Sequence, residues 1–343
     1  MAKSQSVTVT DVSKVTGLST ATVSRVLNNS PLVREATRNK VMQAVRELGY
    51  TANYSARALA RQRTDTIGVI FPGIDKGFFS EVLMGVNEVA TYHNLHITVG
   101  FALNYKDEPA LVSSYVHGGR VDSLILMNLG MPEDFLREIV RESMPIVLID
   151  RPVKGAMVTN VRLDNANGAD EAMTHLVTHG YKRIAIVRGP RETFDADQRW
   201  EGCQRAANRL GYDIDPELIW QGNFYDRSGY DLMKQWLLSG KELPDAVFAF
   251  NDPMAIGVLR ALNEQGLNVP QDMALVGYDD MDSARYLGLT TVRSPMRKMG
   301  QVACRTVIEQ LNSQEKRPTD HVLNTELVVR RSCGVRQDNV FIE

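Results

Sequence analysis

The sequence predicts an N-terminal three-helix helix-turn-helix headpiece followed by an α/β core of two doubly wound parallel-sheet subdomains. Three observations predict it. Through residues 8–48 apolar side chains recur at helical spacing, with Gly17 punctuating the pattern. From Thr64 onward, short apolar runs (TIGVIF, HITVGFA, SLILM, PIVLID, then RIAIV, AVFAF, ALVGY) alternate with amphipathic stretches, in two sets at about 64–150 and 163–280. Strands that are apolar throughout and separated by helices belong to parallel sheets covered on both faces. The third observation is a division of charge. The 343-residue chain carries a net charge of −2. Residues 1–63, however, hold ten Lys or Arg against Asp11, Glu35 and Glu47, a balance of +7, which leaves −9 on the remainder. A basic head on an acidic body places any polyanionic partner at the head.

The head is built element by element. Thr8, with Asp11 three residues on, forms a capping-box variant that opens a helix over about Val9 to Thr16, with Val12 and Val15 expected on its inner face. Gly17 can take the positive φ that ends this helix, and Leu18 plugs the turn. Ser19 caps a second helix, Thr20 to Asn28, that buries Val23, Val26 and Leu27 and shows Thr20, Ala21, Ser24, Arg25 and Asn28. Small residues at its start allow close approach to base edges, and one guanidinium a turn later can pair bidentately with guanine. The third helix, about Glu35 to Leu48, turns Val41, Val45 and Leu48 inward. Such a unit fits a DNA groove.

Residues 53–61, NYSARALAR, follow as a short helix-compatible segment. A helix this short is marginal alone and folds when docked. Leu59 lacks a core partner within that stretch, so it either packs on the body or acts as an apolar wedge between base steps of the minor groove.

The run DVSKVTGLSTATVSRVLNNSPLV…TRNKVMQAVRELGYTAN resembles the headpiece of LacI/GalR-type bacterial transcription regulators, and ARALA resembles their hinge helix. The resemblance continues through TIGVIFP, RVDSLIL, VLIDRP, HLVTHGYKRIAIVRG, FAFNDPMAIGVLRAL, VGYDDM, LTTVRSPMRKMG and ELVVRRS. It implies a core like that of periplasmic sugar-binding proteins. It also implies that Thr20, Ala21 and Arg25 face bases, that Leu59 is the minor-groove leucine, and that Ser19, Thr22, Ser24 and Asn28 hold phosphates or cap the helix. Thr8, Arg34, Tyr54, Ala56 and Ala60 complete the expected DNA-binding set. Arg34 departs from the family, which usually has a capping Ser or Thr there. The expected divisions are 1–52 for the headpiece, 53–63 for the hinge and 64–343 for the core. The core splits into 64–162 with 291–322 and 163–290 with 323–343.

Ligands of doubly wound halves bind where the carboxyl ends of strands face one another. Asp150 ends PIVLID, Asn251 and Asp252 end AVFAF, and Asp279 ends ALVGY, while Arg199 is expected to open the helix after a Gly-Pro loop. Carboxylates and a guanidinium around a cleft suit a hydroxyl-rich ligand, and Phe78, Phe79 and Phe224 can sandwich its ring. The resemblance places Arg199, Asn251, Asp279 and Phe224 in an effector pocket.

Catalysis is not expected. No GxGxxG follows the first strand, no GxxxxGK[ST] occurs, and no Ser or Cys sits in a nucleophile elbow. His175 and His179 stand at i, i+4 without an obvious third metal ligand, and no metal or cofactor is expected. Asp279 and Asp280 are adjacent and should point opposite ways. Cys203, Cys304 and Cys333 form no CxxC pair, which suggests reduced thiols and a cytoplasmic protein. The N-terminus has no apolar h-region, and no run nears the roughly 20 apolar residues that span a bilayer.

The expected activity is sequence-specific repression of carbohydrate-utilisation genes. A homodimer would bind a pseudo-palindromic double-stranded operator under the control of a sugar or related effector. The tail CGVRQDNVFIE has no leucine heptads for a tetramer. Two alternatives stay open: control by a partner protein over a vestigial cleft, and a sugar-modifying enzyme with an accessory head.

Overall fold

In the computed structural model the described residues are 7–28, 30–50, 63–72, 77–102, 105–127, 131–141, 143–153, 156–191, 193–313 and 318–334. Contacts divide the chain into two units, Met1–Thr64 and Asp65–Glu343.

The first unit contains α1 (Val9–Thr16), α2 (Thr20–Leu27) and α3 (Glu35–Leu48). They close on Val12, Val23, Val26, Val41 and Ala44, with Leu18, Leu27, Val45 and Leu48 packed around them. Val15 does not face inward as expected: it is 57% exposed. Thr16 takes the buried position instead, because its hydroxyl is satisfied by donating to the Val12 carbonyl at 2.8 Å. Helix α2 stops one residue early, with Asn28 as its C-cap.

In the second unit the chain runs β1 (Thr66–Phe71), α4 (Gly77–Tyr92), β2 (His96–Phe101), α5 (Glu108–His117), β3 (Ser123–Met127), α6 (Glu133–Ile139), β4 (Ile146–Ile149) and β5 (Thr159–Leu163). It then passes to α7 (Asn165–Thr178), β6 (Ile184–Arg188), α8 (Phe194–Leu210), β7 (Ile219–Gln221), α9 (Asp226–Leu238) and β8 (Ala246–Ala249). Next come α10 (Asp252–Glu264), β9 (Ala274–Asp279), α11 (Asp282–Leu287) and β10 (Thr290–Arg293). The closing elements are α12 (Met296–Asn312), β11 (Asp320–Leu323) and β12 (Glu326–Val328).

Two six-stranded sheets result, ordered β11-β5-β4-β3-β1-β2 and β12-β10-β9-β8-β6-β7. The pairs are parallel except β10 with β12. Central strands β1, β3, β4, β8 and β9 are buried along their whole length, as doubly covered strands must be. The chain changes sheets three times: at Asp164, at 294–295 and at 324–325. The return expected from residue 291 comes after Arg293, because Thr290–Arg293 pairs in register with Val276–Asp279 and stays in the second sheet. Helix α12 then packs on α4. A Cβ at Gly85 would overlap the Arg297 carbonyl, and one at Gly300 would overlap that of Val82, so both glycines are needed for the two helices to approach this closely.

Candidate functional site

In the head, Thr8 donates to Asp11 Oδ2 from its backbone N–H at 3.0 Å and from its hydroxyl at 2.7 Å, anchoring the start of α1. Gly17 takes φ 68° and ends that helix. Ser19 caps α2 by accepting from the Thr22 N–H at 3.2 Å, and the two hydroxyls lie 2.9 Å apart. Thr20, Ala21, Ser24, Arg25 and Asn28 are all exposed. At about 100° per residue they fall within an arc of about 140°, opposite the buried Val23 and Val26. Asn28 donates to the Ser24 hydroxyl at 3.3 Å. Arg25 makes no side-chain hydrogen bond among the described residues and extends from that face. Arg34 stands at the N-cap of α3 and supplies no side-chain acceptor. Tyr54, Ala56, Leu59 and Ala60 lie outside the described residues.

In the body, the carboxyl ends of the strands gather a buried polar cluster. Asp150 directly follows β4, Asn251 lies just beyond β8, and Asp279 ends β9. Asp150 and Asp279 take φ of 71° and 111°, a backbone region that side-chain-bearing residues rarely occupy and that concentrates at functional sites. Arg199 lies in the second turn of α8 rather than opening it as expected, because the helix already begins at Phe194, and it is 3% exposed. It donates from Nε to Asn165 Oδ1 at 2.9 Å, pairs with Asp279 Oδ1 at 3.5 Å and donates to the Phe250 carbonyl. Its guanidinium lies 3.8 Å from the centroid of the Tyr278 ring and 5.8 Å from that of Phe224. Asn165 turns its other edge to Asp195, donating at 2.9 Å. One amide therefore orients both an acid and a base.

Asp150 is 1% exposed, and neither of its carboxylate oxygens has a hydrogen-bond partner among the described residues. Burial pushes its carboxyl well above the usual range, with the negative charges of Asp195 and Asp279 adding to the effect and Arg199 opposing it. Asp195 is also raised by burial, against the pull of Arg199 and Asn165. Asp150 belongs to the first sheet, and the three charges acting on it belong to the second half. The electrostatics therefore bridge the two subdomains.

The remaining expected residues have separate tasks. Asn251 accepts from the Met254 N–H at 3.0 Å as the cap of α10 and donates to the Phe224 carbonyl at 2.8 Å. That bond holds Phe224, at φ 69°, with its ring over Gly189, where a Cβ would collide with it. Asp252 accepts from Thr291 at 2.6 Å and from the Met281 N–H at 2.8 Å, which makes it a brace between β10 and the start of α11. Phe79 is a core residue, buried 5.6 Å from Phe71, because its position on α4 points into the sheet. Phe78 is only partly buried and packs edge-on against Phe79.

Asp279 and Asp280 do diverge. Asp280 accepts from Arg293 at 2.8 Å and from Arg330 at 2.6 Å, tying β9 to β10 and to the segment after β12. Burial pushes the Asp280 carboxyl up, but those two guanidinium groups outweigh it and hold it below the usual value. His175 faces Cys333 Sγ at 3.3 Å and His179 turns to the His175 carbonyl at 2.6 Å, so the pair is occupied locally. No cluster of three metal-ligating side chains occurs among the described residues. No helix among them is long and apolar enough to cross a membrane.

Sequence reasoning missed Asn165, Asp195 and Tyr278. Asp195 precedes Arg199 by one helical turn, which was an available signal. Asn165 opens the first helix after a sheet change, a second available signal.

Comparison with known proteins matches both units. The family described as "Bacterial regulatory proteins, lacI family" matches residues 8–53, and a "Periplasmic binding protein-like domain" matches residues 173–333. The chain is 32% identical over 327 residues to the HTH-type transcriptional repressor CytR of Escherichia coli (strain K12), covering 95% of this chain and 96% of that protein. A crystal structure of the lac repressor dimer bound to operator and the anti-inducer ONPF superposes with a TM-score of 0.86 at 26% identity, covering 96% of this chain and 99% of that one. The complex of the transcriptional regulator CelR with cellobiose superposes at 0.72 with 30% identity, covering 95% and 99%.

Proposed function

Because the chain belongs to the LacI family of bacterial regulatory proteins, we propose that it represses carbohydrate-utilisation genes from the cytoplasm under the control of a small polyhydroxylated metabolite bound between its two sheets. The observation that carries the metabolite half of this reading is the buried cluster of Asp150, Asp195, Arg199 and Asp279, contributed by both subdomains. Buried ionisable groups with one unpartnered carboxyl cost stability, and a ligand that donates hydrogen bonds to them offsets that cost. A brace made only for folding would be paired internally, as Asp280 is.

The DNA half rests on α2. Thr20, Ala21 and Arg25 read base edges in the major groove, while Ser19, Thr22, Ser24, Asn28 and Arg34 hold or approach the backbone. Thr8 fixes the start of the supporting helix. A homodimer presents two heads to a pseudo-palindromic operator, in keeping with the operator-bound lac repressor dimer that the chain resembles. Leu59 enters the central minor groove as a wedge, with Tyr54, Ala56 and Ala60 on the same segment. No cofactor takes part. Sugar recognition in the CelR–cellobiose complex favours a sugar as the effector class.

The test is a thermal-shift screen of the full chain with sugars, sugar phosphates and nucleosides, followed by operator titrations with each hit. A hit that also changes operator affinity supports the reading. No shift with any metabolite, together with operator binding that responds to a partner protein, replaces it with the partner-controlled alternative.

A further inference from the structure

Three consecutive residues leave the end of β9 for three different places. Asp279 turns into the cleft toward Arg199. Asp280 turns away from it, and its wholly buried carboxylate accepts from Arg293 at 2.8 Å and from Arg330 at 2.6 Å. Met281 reaches the other half of the body: its side chain packs on the core of the first sheet, and a Cβ at Gly77, the first residue of α4, would come within 2.6 Å of its terminal methyl. Asp252 fixes the bend by accepting from the Met281 N–H at 2.8 Å. The φ values of 111° at Asp279 and 56° at Asp280 are a costly backbone path for residues with side chains. Such a path persists only where surrounding contacts over-determine it.

The ion pairs of Asp280 sit at the roots of two crossings. Arg293, the last residue before the crossing at 294–295, is the cross-strand partner of Glu326, the first residue after the crossing at 324–325, and donates to it at 3.1 Å. We propose that Asp280 and Met281 form a latch between the two halves of the body. Asp280 clamps the roots of two of the three crossings to the second sheet and aims Met281 into the first half, so that the halves open and unfold together. The latch does not depend on what the cleft binds, and a ligand that turns one half against the other works against it. The first half is the one that needs holding. Both oxygens of Glu108, Ser123 Oγ and both polar side-chain atoms of Asn160 are buried there without hydrogen-bond partners among the described residues, a direct loss of stability.

Two thiols report the halves separately. Cys304 lies in the core of the first half and Cys203 in that of the second, and both are 0% exposed. The full chain is equilibrated in urea, pulsed with iodoacetamide and digested, so that mass spectrometry reads each thiol. In the parent both should become reactive at one midpoint, as in a single cooperative unit. Two variants break the latch: Asp280→Asn, which keeps the size and suits the left-handed backbone, and Met281→Ala. In each, Cys304 should react at a midpoint lower than that of Cys203 by roughly 0.5 M urea or more. Met281→Leu should keep the midpoints together, as should Arg285→Gln, at an exposed guanidinium 3.9 Å from Asp280. A side chain that served only general stability would lower both midpoints equally. Midpoints that move together in Met281→Ala, or in Asp280→Asn where it folds, overturn the latch, as do midpoints that already differ in the parent.

Discussion

Arg199 donates from Nε to Asn165 Oδ1 at 2.9 Å, and through that amide the first helix after the sheet change holds the guanidinium in place. The same Asn165 donates to Asp195 at 2.9 Å, so its orientation is fixed from two sides. Asn165→Ala should remove both bonds, leave Arg199 and Asp195 less well oriented, and weaken effector binding by about 1.5–3 kcal/mol. Operator affinity without effector should stay within twofold of the parent. Calorimetry for the ligand and anisotropy for the operator check the two halves separately; equal losses in both would mean global damage rather than lost positioning.

Glu108 supplies a pH prediction. It is buried at the start of α5, neither carboxylate oxygen has a hydrogen-bond partner among the described residues, and burial pushes its carboxyl to about 7. A folded-state value above the unfolded one means that the folded chain holds the proton more tightly. The associated stability is complete below the unfolded value near pH 4.5 and is lost as pH rises through about 7. Glu108→Gln removes that loss. Its stability relative to the parent should rise between pH 4.5 and 8, by about 3 kcal/mol for a shift of this size. His175, lowered to about 4 by burial and by His179, acts in the opposite sense, losing stability as pH falls from 6.5 through about 4. The difference between variant and parent curves is therefore the quantity to measure, and a flat difference would refute the burial of an unpaired Glu108.

Arg34 occupies the cap position of α3 without capping it. Arg34→Ser should stabilise the head by about 1 kcal/mol, the usual value of a side-chain cap. Operator affinity reports any phosphate contact made by the arginine. Stabilisation with weaker, more salt-independent binding would show that the residue trades helix stability for DNA contact.

Arg25→Ala should relax preference at one operator base pair by about 1–3 kcal/mol while leaving effector affinity unchanged. Competition among operators mutated one base pair at a time measures it. A uniform loss across all of them would reassign Arg25 to phosphate contact.

Much of this was legible from residues alone, for identifiable reasons. The bounds of α1 followed from a capping box and the glycine at 17, and those of α3 from its periodic apolar residues. The central strands followed from unbroken apolar runs. Strands β7 and β12, three residues each, carry too little pattern, and the short strands β5 and β11, with polar residues in their sequences, take their register from neighbours. Val15 and Thr16 exchanged places because a hydroxyl bonded to its own helix can be buried at little cost. In the cleft, Asp195 lies in the polar run FDADQRW, which reads as a solvated helix face, yet Arg199 on that face is buried. Tyr278 looked like strand interior and also serves as the plane beneath the guanidinium. Charge pairing across two subdomains has no local sequence signature.

The most direct test is linkage between the two units. Operator affinity of the full chain should be measured by anisotropy with and without the compound giving the largest thermal shift, and the affinity for that compound with and without operator. The account predicts a change of about 5- to 150-fold, with the same factor in both directions. An operator affinity unchanged at saturating ligand would contradict it.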